Sequence, residues 1–207
     1  MNYKIFKNKK VIVTGHTGFK GSWLVCWLYI LGARVFGISL TPEDELYHFK
    51  FLKNKIKIKD LRIDVRNEKK IEKAILNIRP DFVFHLAAQS IVSTSYKRPK
   101  YTVETNVIGT LNILNALNKL RKKCISILVT SDKFYKNKEL SRGYNENDEL
   151  GGDDFYSASK ASTELIINSF YNSFIKKKNR NLKIASARAG NVVGGGDWSK
   201  DRLIPDC

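Results

Sequence analysis

The sequence predicts an α/β fold in which a doubly wound parallel sheet is covered by helices. Short apolar runs alternate with helical patterns along the 207 residues. These runs are continuously apolar, as expected for strands that are buried on both faces. A glycine-rich turn follows the first run directly. Because right-handed crossovers bring the carboxyl ends of parallel strands to one edge, we expect ligands to bind at that edge.

Six strands and four helices account for most of the predicted sheet and its covering layers. The predicted strands are KVIVTG (10–15), ARVFGIS (33–39), KIKDLRI (57–63), DFVFHLA (81–87), CISILVT (124–130) and KIASARA (183–189). The predicted helices lie at 20–31, 67–78, 99–120 and 157–176. The connection 41–55 is longer than a tight turn requires, and the sequence leaves its structure open.

We expect residues 1–190 to form one Rossmann-type domain and residues 191–207 to begin a truncated substrate-binding region. Hydrophobic residues make up 43% of the chain, which is sufficient for one buried core. The final run, DRLIPDC, is polar and contains proline, as expected of a segment that leads into further structure.

The net charge of +17 first raises the question of nucleic-acid binding. The lysines are spread through every segment, without a recognisable reading helix or aromatic ribonucleoprotein motif. We therefore predict a solvated basic face and no nucleic-acid partner. No apolar run approaches the ~20 residues of a membrane span, so we predict no membrane partner. The three cysteines lack metal-ligand spacing, which predicts no metal site and reduced thiols in a cytoplasmic protein.

The stretch VIVTGHTGFKGSW places three glycines between the first strand and the first helix. Gly15 permits a tight turn, Gly18 lets the backbone approach a pyrophosphate, and Gly21 allows close packing of the helix. The helix N-terminus supplies amide donors and the positive end of the helix dipole. The stretch therefore predicts dinucleotide binding.

The choice between NAD and NADP stays open on the residues alone. The second strand ends in Ser39-Leu40-Thr41, without the acid that commonly binds the adenosine ribose, and no arginine stands there for a 2′-phosphate. Asp64 follows the third strand, where it is either a hydrogen-bond acceptor for the adenine amino group or an acid near a helix N-terminus. The small residues of HLAAQS (85–90) allow a flat cofactor to lie against the backbone.

DDFYSASKAS places Tyr156 and Lys160 four residues apart at the start of a helix, and therefore on one face. A neighbouring ammonium favours the phenolate and lowers the pKa of a tyrosine, which makes it a usable general base. Taken alone, such a pair is most often a surface contact. After a glycine fingerprint and five βα units, it indicates a catalytic pair.

VTSDKFY (129–135) brings three chemical groups together where an apolar strand ends. Ser131 offers a hydroxyl, Asp132 a carboxylate and Lys133 an ammonium. Without the neighbouring motifs, an aspartate that begins a turn and a solvated lysine would be the preferred interpretation. Their function is therefore left to the neighbouring motifs.

Eight motifs taken together resemble a known family, the extended short-chain dehydrogenase/reductases that modify nucleotide sugars. They are TGHTGFKGSW, HLAAQ, ETNVIGT, TSDKFYKNKE, GYNENDELGG, YSASK, SARAGNVVGGGDW and DRLIPDC, in the expected order over residues 10–207. HTGFKGSW, SDK and NVVGGGDW are typical of the subgroup of 4,6-dehydratases that act on CDP-glucose.

The resemblance implies NAD as cofactor and CDP-glucose as substrate. Such enzymes oxidise C4, eliminate water across C5–C6 and return the hydride to C6. Tyr156 would then be the base at O4, assisted by Lys160, with Ser131 hydrogen-bonded to the same oxygen. Asp132 would occupy the acid position. Lys133 stands where related enzymes usually carry glutamate. It is either a base kept neutral by burial or by another cation, or a stabiliser of the enolate while another group takes the C5 proton.

Further positions follow from the resemblance alone. The cofactor contacts implied are Gly15, Thr17, Gly18, Phe19, Gly21, Asp64, Val65, Leu86, Ala87, Ala88, Tyr156 and Lys160. The substrate contacts implied are Gln89, Ser90, Asn106, Asn191, Arg202 and Leu203. The resemblance also implies a homo-oligomer. The tryptophans, in contrast, are predicted to be packing residues: Trp23, Trp27 and Trp198.

Two classes of function stay open. The first is a sugar-nucleotide lyase in the synthesis of deoxysugars for lipopolysaccharide and other surface polysaccharides. The second is a catalytically inactive NAD-binding remnant. A 4-epimerase or a keto-sugar reductase is a further alternative, because both use the tyrosine and lysine, but neither needs the Asp132–Lys133 pair.

Overall fold

Six parallel strands form a single sheet in the order β3-β2-β1-β4-β5-β6 in the computed structural model. The strands are β1 (Lys10–Thr14), β2 (Arg34–Ser39), β3 (Lys59–Arg62), β4 (Phe82–His85), β5 (Cys124–Val129) and β6 (Leu182–Ala187). The structure describes residues 3–42, 48–176, 181–199 and 201. The strand order reverses between β1 and β4, which confirms the predicted doubly wound parallel sheet.

Seven α-helices are described in the same residues. They are α1 (Phe19–Ile30), α2 (His48–Leu52), α3 (Glu68–Ile78), α4 (Val92–Lys97), α5 (Pro99–Val103), α6 (Gly109–Asn118) and α7 (Phe155–Phe170). Helix α2 lies in the connection that the sequence left open. Helix α4 was not predicted, and it is separated from α5 by Arg98 (φ −138°), the residue before Pro99. A proline disfavours the helical conformation at the residue before it, which explains the break.

The predicted helix 99–120 is interrupted by a π-helical segment, Glu104–Ile108. The cause lies in the carbonyl of Asn106, which accepts the hydroxyls of Thr110 at 2.6 Å and Thr163 at 3.1 Å. Hydroxyl groups that bind a helix carbonyl compete with its backbone partner. The irregular turn therefore depends on a residue of α7 that is distant in sequence.

Apolar residues pack on both faces of the central strands. Ile12 of β1 packs with α3 and α6, whereas its neighbours Val11 and Val13 pack with α1. This arrangement follows from the alternation of side chains along a strand. On the α1 face, Ile125 of β5 is 42% exposed to solvent, so the described residues cover this edge of the sheet on one face only.

The described helices are too short and too polar for any of them to traverse a lipid bilayer. The division of the chain at residue 190 stays a prediction.

Candidate active site

The glycine turn between β1 and α1 is shaped by two close backbone approaches. Gly15 has a φ of +72°, and a Cβ on it would lie 2.7 Å from the amide nitrogen of Ala87. A Cβ on Gly21 would lie 2.1 Å from the carbonyl oxygen of Gly15. Only glycine fits either position, so the first turn of α1 sits directly against the loop.

Gly18 differs from these two glycines because its outer side is open. Its backbone is extended (φ −73°, ψ 167°), and a Cβ there would meet only the carbonyl oxygen of Gly15, at 3.4 Å. The position therefore tolerates a side chain sterically within the protein. Its open side lies at the N-terminus of α1, where an anionic group of a dinucleotide would approach.

The imidazole of His16 supports the glycine turn from the side of β2, a role that the sequence did not reveal. The ring is fully buried and lies against β2, where a Cβ on Gly37 would come within 2.4 Å of it. Its Nε2 is 3.0 Å from a carboxylate oxygen of Asp60 on β3. Burial lowers the pKa of His16, and the Asp60 carboxylate opposes that shift.

An arginine does reach the end of β2, although it comes from β3. Arg62 is the register partner of Ser39, and its guanidinium donates to the carbonyl of Leu40 at 2.7 Å. It also pairs with Asp60. Thr17 bonds the Ser39 hydroxyl at 2.7 Å. The expectation that no arginine stands at the end of β2 considered only the residues that follow β2 in the sequence. It is wrong for the folded protein, where Arg62 of β3 lies beside Ser39.

Asp64 is already paired with Arg66, whose guanidinium lies 2.6 Å from its carboxylate. These hydrogen bonds hold the pKa of Asp64 below its usual range. The N-cap of α3 is Asn67 rather than Asp64. Val65 is buried against Gly109, where an added Cβ would lie 2.8 Å from it. The contacts of Asp64 and Val65 with a cofactor stay predictions.

The strand β4 ends against β1 in a compact turn. Thr14 Oγ1 accepts the amides of Leu86 and Ala87, each at 3.2 Å, so these residues and the following Ala88 lie beside the glycine loop. This hydroxyl also bonds Nδ1 of the fully buried His85 at 2.7 Å. Burial, together with the charge of Lys160, lowers the pKa of His85 to about 3, which keeps the imidazole neutral.

The side chains of Gln89 and Asn106 are buried and bonded to other parts of the protein. Asn106 accepts the Gln89 amide at 2.8 Å and donates to Ser159 of α7 at 2.8 Å. Gln89 donates to Thr102 at 2.8 Å. The pair joins the β4 turn to α7 beneath the candidate site, whereas Ser90 is exposed. Direct contact of these residues with a substrate stays a prediction.

Tyr156 and Lys160 lie on the first two turns of α7. Asp154 caps this helix by accepting the amides of Tyr156 and Ser157 at 2.8 and 3.0 Å. The Lys160 ammonium is buried, 6.0 Å from the centre of the Tyr156 ring. Burial, reinforced by Lys20, lowers the pKa of Lys160 to about 8. The helix thus presents a half-buried phenol beside a cation.

Ser131, Asp132 and Lys133 form a tight turn at the end of β5. Ser131 is buried and caps the 3₁₀ turn Asp132–Phe134 by accepting the Lys133 amide at 3.2 Å. Phe134 is fully buried and fixes the turn, which leaves Asp132 and Lys133 exposed. Burial of Lys133, one of the two expected routes to its function, is therefore not found.

Asp132 and Lys133 face a cleft of about 740 Å³. Its other walls are the 135–146 loop, residues 152–154 at the start of α7, and residues 188–190 after β6. The loop is held in place by Gly151, which donates to the Phe134 carbonyl at 2.7 Å, and by stacking of Tyr135 on Tyr144. The SDK turn and the N-terminus of α7 therefore share one concave surface.

The 191–199 segment crosses the start of α1. The indole of Trp23 donates to the carbonyl of Gly195 at 2.9 Å and stacks on His48 at 4.4 Å. A Cβ on Gly194 would lie 3.0 Å from the Phe19 ring. Two motifs of the subgroup, HTGFKGSW and NVVGGGDW, are thus in direct contact.

Three predicted substrate contacts near the end of the chain and three predicted packing residues remain to be placed. Asn191 is exposed, whereas Arg202 and Leu203 lie outside the described residues. The tryptophans predicted to be packing residues are only partly covered, because each leaves 47–49% of its surface exposed: Trp23, Trp27 and Trp198. Across the described ranges, no group of three or more histidine, cysteine, aspartate or glutamate side chains is arranged to hold a metal ion.

The fold and this site together define a Rossmann-type domain of the short-chain dehydrogenase/reductase class. The sequence model described as GDP-mannose 4,6 dehydratase matches residues 12–184, and the chain belongs to this family.

A CDP-glucose 4,6-dehydratase from Salmonella typhimurium is 43% identical over 204 residues, which cover 97% of this chain and 57% of that protein. A dTDP-D-glucose 4,6-dehydratase from Dictyostelium discoideum is 28% identical, over 95% of this chain and 46% of that protein. Among solved structures, a Thermus thermophilus UDP-glucose 4-epimerase in complex with NAD matches with a TM-score of 0.69 and 26% identity, covering 86% of this chain and 54% of that one. The chain thus spans about half the length of these relatives.

We predict that the Trp23 indole holds the 191–199 segment on α1. Trp23→Phe keeps a ring to stack on His48 but removes the donor to Gly195. Since one such hydrogen bond is worth about 0.5–1.5 kcal/mol, amide hydrogen exchange within 191–199 should accelerate roughly two- to tenfold. The same substitution one turn further along α1, Trp27→Phe, is the control. Equal exchange in Trp23→Phe and the unsubstituted protein would contradict the prediction.

Proposed function

We propose that the protein catalyses the NAD-dependent dehydration of CDP-glucose to CDP-4-dehydro-6-deoxyglucose. The observation that carries the proposal is the cleft that presents Asp132 and Lys133 beside Ser131 and the N-terminus of α7. An oxidation at C4 needs only a base and a hydride acceptor. Elimination of water also needs a base for the C5 proton and an acid for the leaving hydroxyl, and an adjacent cation stabilises the enolate between these two transfers. The 43% identity to a CDP-glucose 4,6-dehydratase supports the same reaction.

The residues of the glycine turn fit NAD. The open side of Gly18, the amides at the start of α1 and the close approach of Ala87 to Gly15 leave a cradle for a pyrophosphate. When bound, NAD supplies the acceptor and later the donor of the hydride. NAD in the similar Thermus epimerase supports this assignment. Arg62 beside Ser39 is already engaged by Asp60 and the Leu40 carbonyl, which favours a cofactor without a 2′-phosphate.

Tyr156 is proposed to remove the O4 proton during oxidation. The Lys160 ammonium stabilises the resulting phenolate, and the buried Ser131 hydroxyl bonds the same sugar oxygen. The turn that follows Ser131 packs against α7, the helix that carries Tyr156.

The ketone at C4 makes the C5 proton acidic, and the C6 hydroxyl must then leave as water. Asp132, exposed in the cleft, is proposed to give that hydroxyl its proton. The exposure of Lys133 favours the second of its two expected roles, in which another group takes the C5 proton and the ammonium stabilises the negative charge of the enolate. Both residues would therefore act after oxidation.

A role in deoxysugar and surface-polysaccharide synthesis, a cytoplasmic location and a homo-oligomeric state belong to the same proposal. Each is an expectation for an enzyme that acts on a nucleotide sugar.

We predict that the protein binds NAD through the open side of Gly18, and more tightly than NADP. In Gly18→Val, the branched side chain would occupy the approach path of the pyrophosphate, and NAD affinity in calorimetric titrations should fall at least ~100-fold. The fold should persist because the added Cβ meets only Gly15 O. Gly143→Val, which enters open space, is the matched control and should bind normally. Tighter binding of NADP by the unsubstituted protein would contradict the cofactor assignment.

The elimination step should depend on Asp132 and Lys133 while the oxidation step does not. In Asp132→Asn and Lys133→Ala, product formation from CDP-glucose should fall roughly 10²–10⁴-fold. Reduced nicotinamide should accumulate on the enzyme, because Tyr156 and Lys160 still oxidise C4. Its absorbance, followed in a single turnover of the complete gene product, is the measurement.

Two further variants serve as controls for that experiment. Tyr156→Phe should yield neither reduced nicotinamide nor product. Lys138→Ala, a neighbouring exposed lysine paired with Glu149, should behave as the unsubstituted enzyme. Normal product formation by both Asp132→Asn and Lys133→Ala would show that the SDK turn has no part in elimination.

A further inference from the structure

Glu164 is a buried carboxylate on α7, one turn beyond Lys160. It leaves 6% of its surface exposed. An isolated carboxylate in such a place is strongly unfavourable unless its oxygens are hydrogen-bonded and its charge is balanced. The resemblance to the dehydratase family did not assign this residue a role, so its contacts need a separate explanation.

Three donors from the ends of two strands satisfy Glu164. The Thr130 hydroxyl donates to Oε1 at 2.5 Å, while Ser186 and Arg188 donate to Oε2 at 3.0 and 3.4 Å. In all three bonds the carboxylate is the acceptor, and the Arg188 guanidinium balances its charge. One side chain of α7 therefore joins the carboxyl end of β5 to the carboxyl end of β6.

These bonds hold the Asp132–Phe134 turn from both sides. Thr130 stands immediately before the buried Ser131, and its amide donates to the Ala187 carbonyl at 2.9 Å. On the other side, Arg188 donates to the Tyr135 hydroxyl at 2.7 Å and lies 4.7 Å from the centre of the Phe134 ring. The turn cannot shift relative to α7 without breaking contacts of Glu164 or Arg188.

The same carboxylate also affects the charge of Lys160. Lys20 faces this ammonium from the glycine-loop side, neutral His85 faces it from β4, and Tyr156 precedes it on α7. Burial and, to a smaller extent, Lys20 disfavour the ammonium, whereas the negative charge of Glu164 favours it. Arg188 pairs with the same carboxylate and also donates to the Tyr135 hydroxyl.

We infer that Glu164 is a positioning residue that sets the Asp132–Phe134 turn against the Tyr156–Lys160 helix. This inference rests on the proposed function only for its catalytic readout. The geometric part concerns the packing of the turn and is measurable without turnover.

Glu164→Gln keeps the shape of the side chain and removes its charge. In the complete gene product, we expect kcat for CDP-glucose to fall roughly tenfold with little change in KM, because a contact within a buried network is lost. Without the carboxylate, the pKa of Lys160 falls further and its ammonium is lost at lower pH. The alkaline limb of the kcat–pH profile should therefore move toward acid.

Thr130→Val separates geometry from charge. It breaks the tether between Glu164 and β5 but leaves the carboxylate beside Lys160. We expect a lower kcat with an unmoved alkaline limb, and this variant also carries the test if Glu164→Gln does not fold. Glu72→Gln, which removes the charge of a surface carboxylate paired with Lys119, is the matched control and should change neither quantity.

Amide hydrogen exchange reports on the turn without any activity. The Asp132 amide donates to the Ala189 carbonyl at 3.1 Å. Its exchange should accelerate roughly tenfold in Glu164→Gln and in Thr130→Val, but not in Glu72→Gln. Unchanged exchange in both variants would overturn the inference. A protein that shows the faster exchange but never dehydrates CDP-glucose would instead contradict the proposed function alone.

Discussion

A buried ammonium has to be stabilised against the loss of its water, and at Lys160 this requirement organises the carboxyl edge of the sheet. Its pKa, about 8 instead of 10.5, corresponds to a net cost of about 3 kcal/mol for the charged form. This net cost already includes the favourable charge of Glu164, one turn away. Because Glu164 is itself buried, it needs Thr130, Ser186 and Arg188 as donors. Burial of one cation thus connects α7, β5 and β6.

The parallel topology then brings the chemistry to one place. The strand order reverses between β1 and β4, so the glycine turn after β1 lies beside the Leu86–Ala87 backbone after β4. The SDK turn follows β5, the next strand of the sheet. A flat cofactor held at the first two positions would extend toward the third, against which α7 packs. Cofactor and substrate groups are therefore brought together by strand order rather than by proximity in sequence.

What could be predicted from the sequence is local in character. Continuous apolar runs give the strands, the glycine spacing gives the turn, and the four-residue spacing gives the Tyr156–Lys160 face. The remaining features depend on residues that are distant along the chain. The π-helical turn at Asn106 needs Thr163, the arginine beside Ser39 comes from β3, and Trp23 bonds Gly195. No periodicity reports such pairs, and Glu164 reads in the sequence as an ordinary helix residue.

The central claim is that one active site oxidises C4, eliminates water and returns the same hydride to C6. The most direct measurement uses CDP-glucose that carries deuterium at C4, with the product analysed by NMR and mass spectrometry. The proposal predicts a 4-dehydro-6-deoxy sugar with that deuterium on C6 and no net reduction of NAD. Deuterium recovered in reduced nicotinamide, with C6 still bearing its hydroxyl, would contradict it and define a simple oxidoreductase.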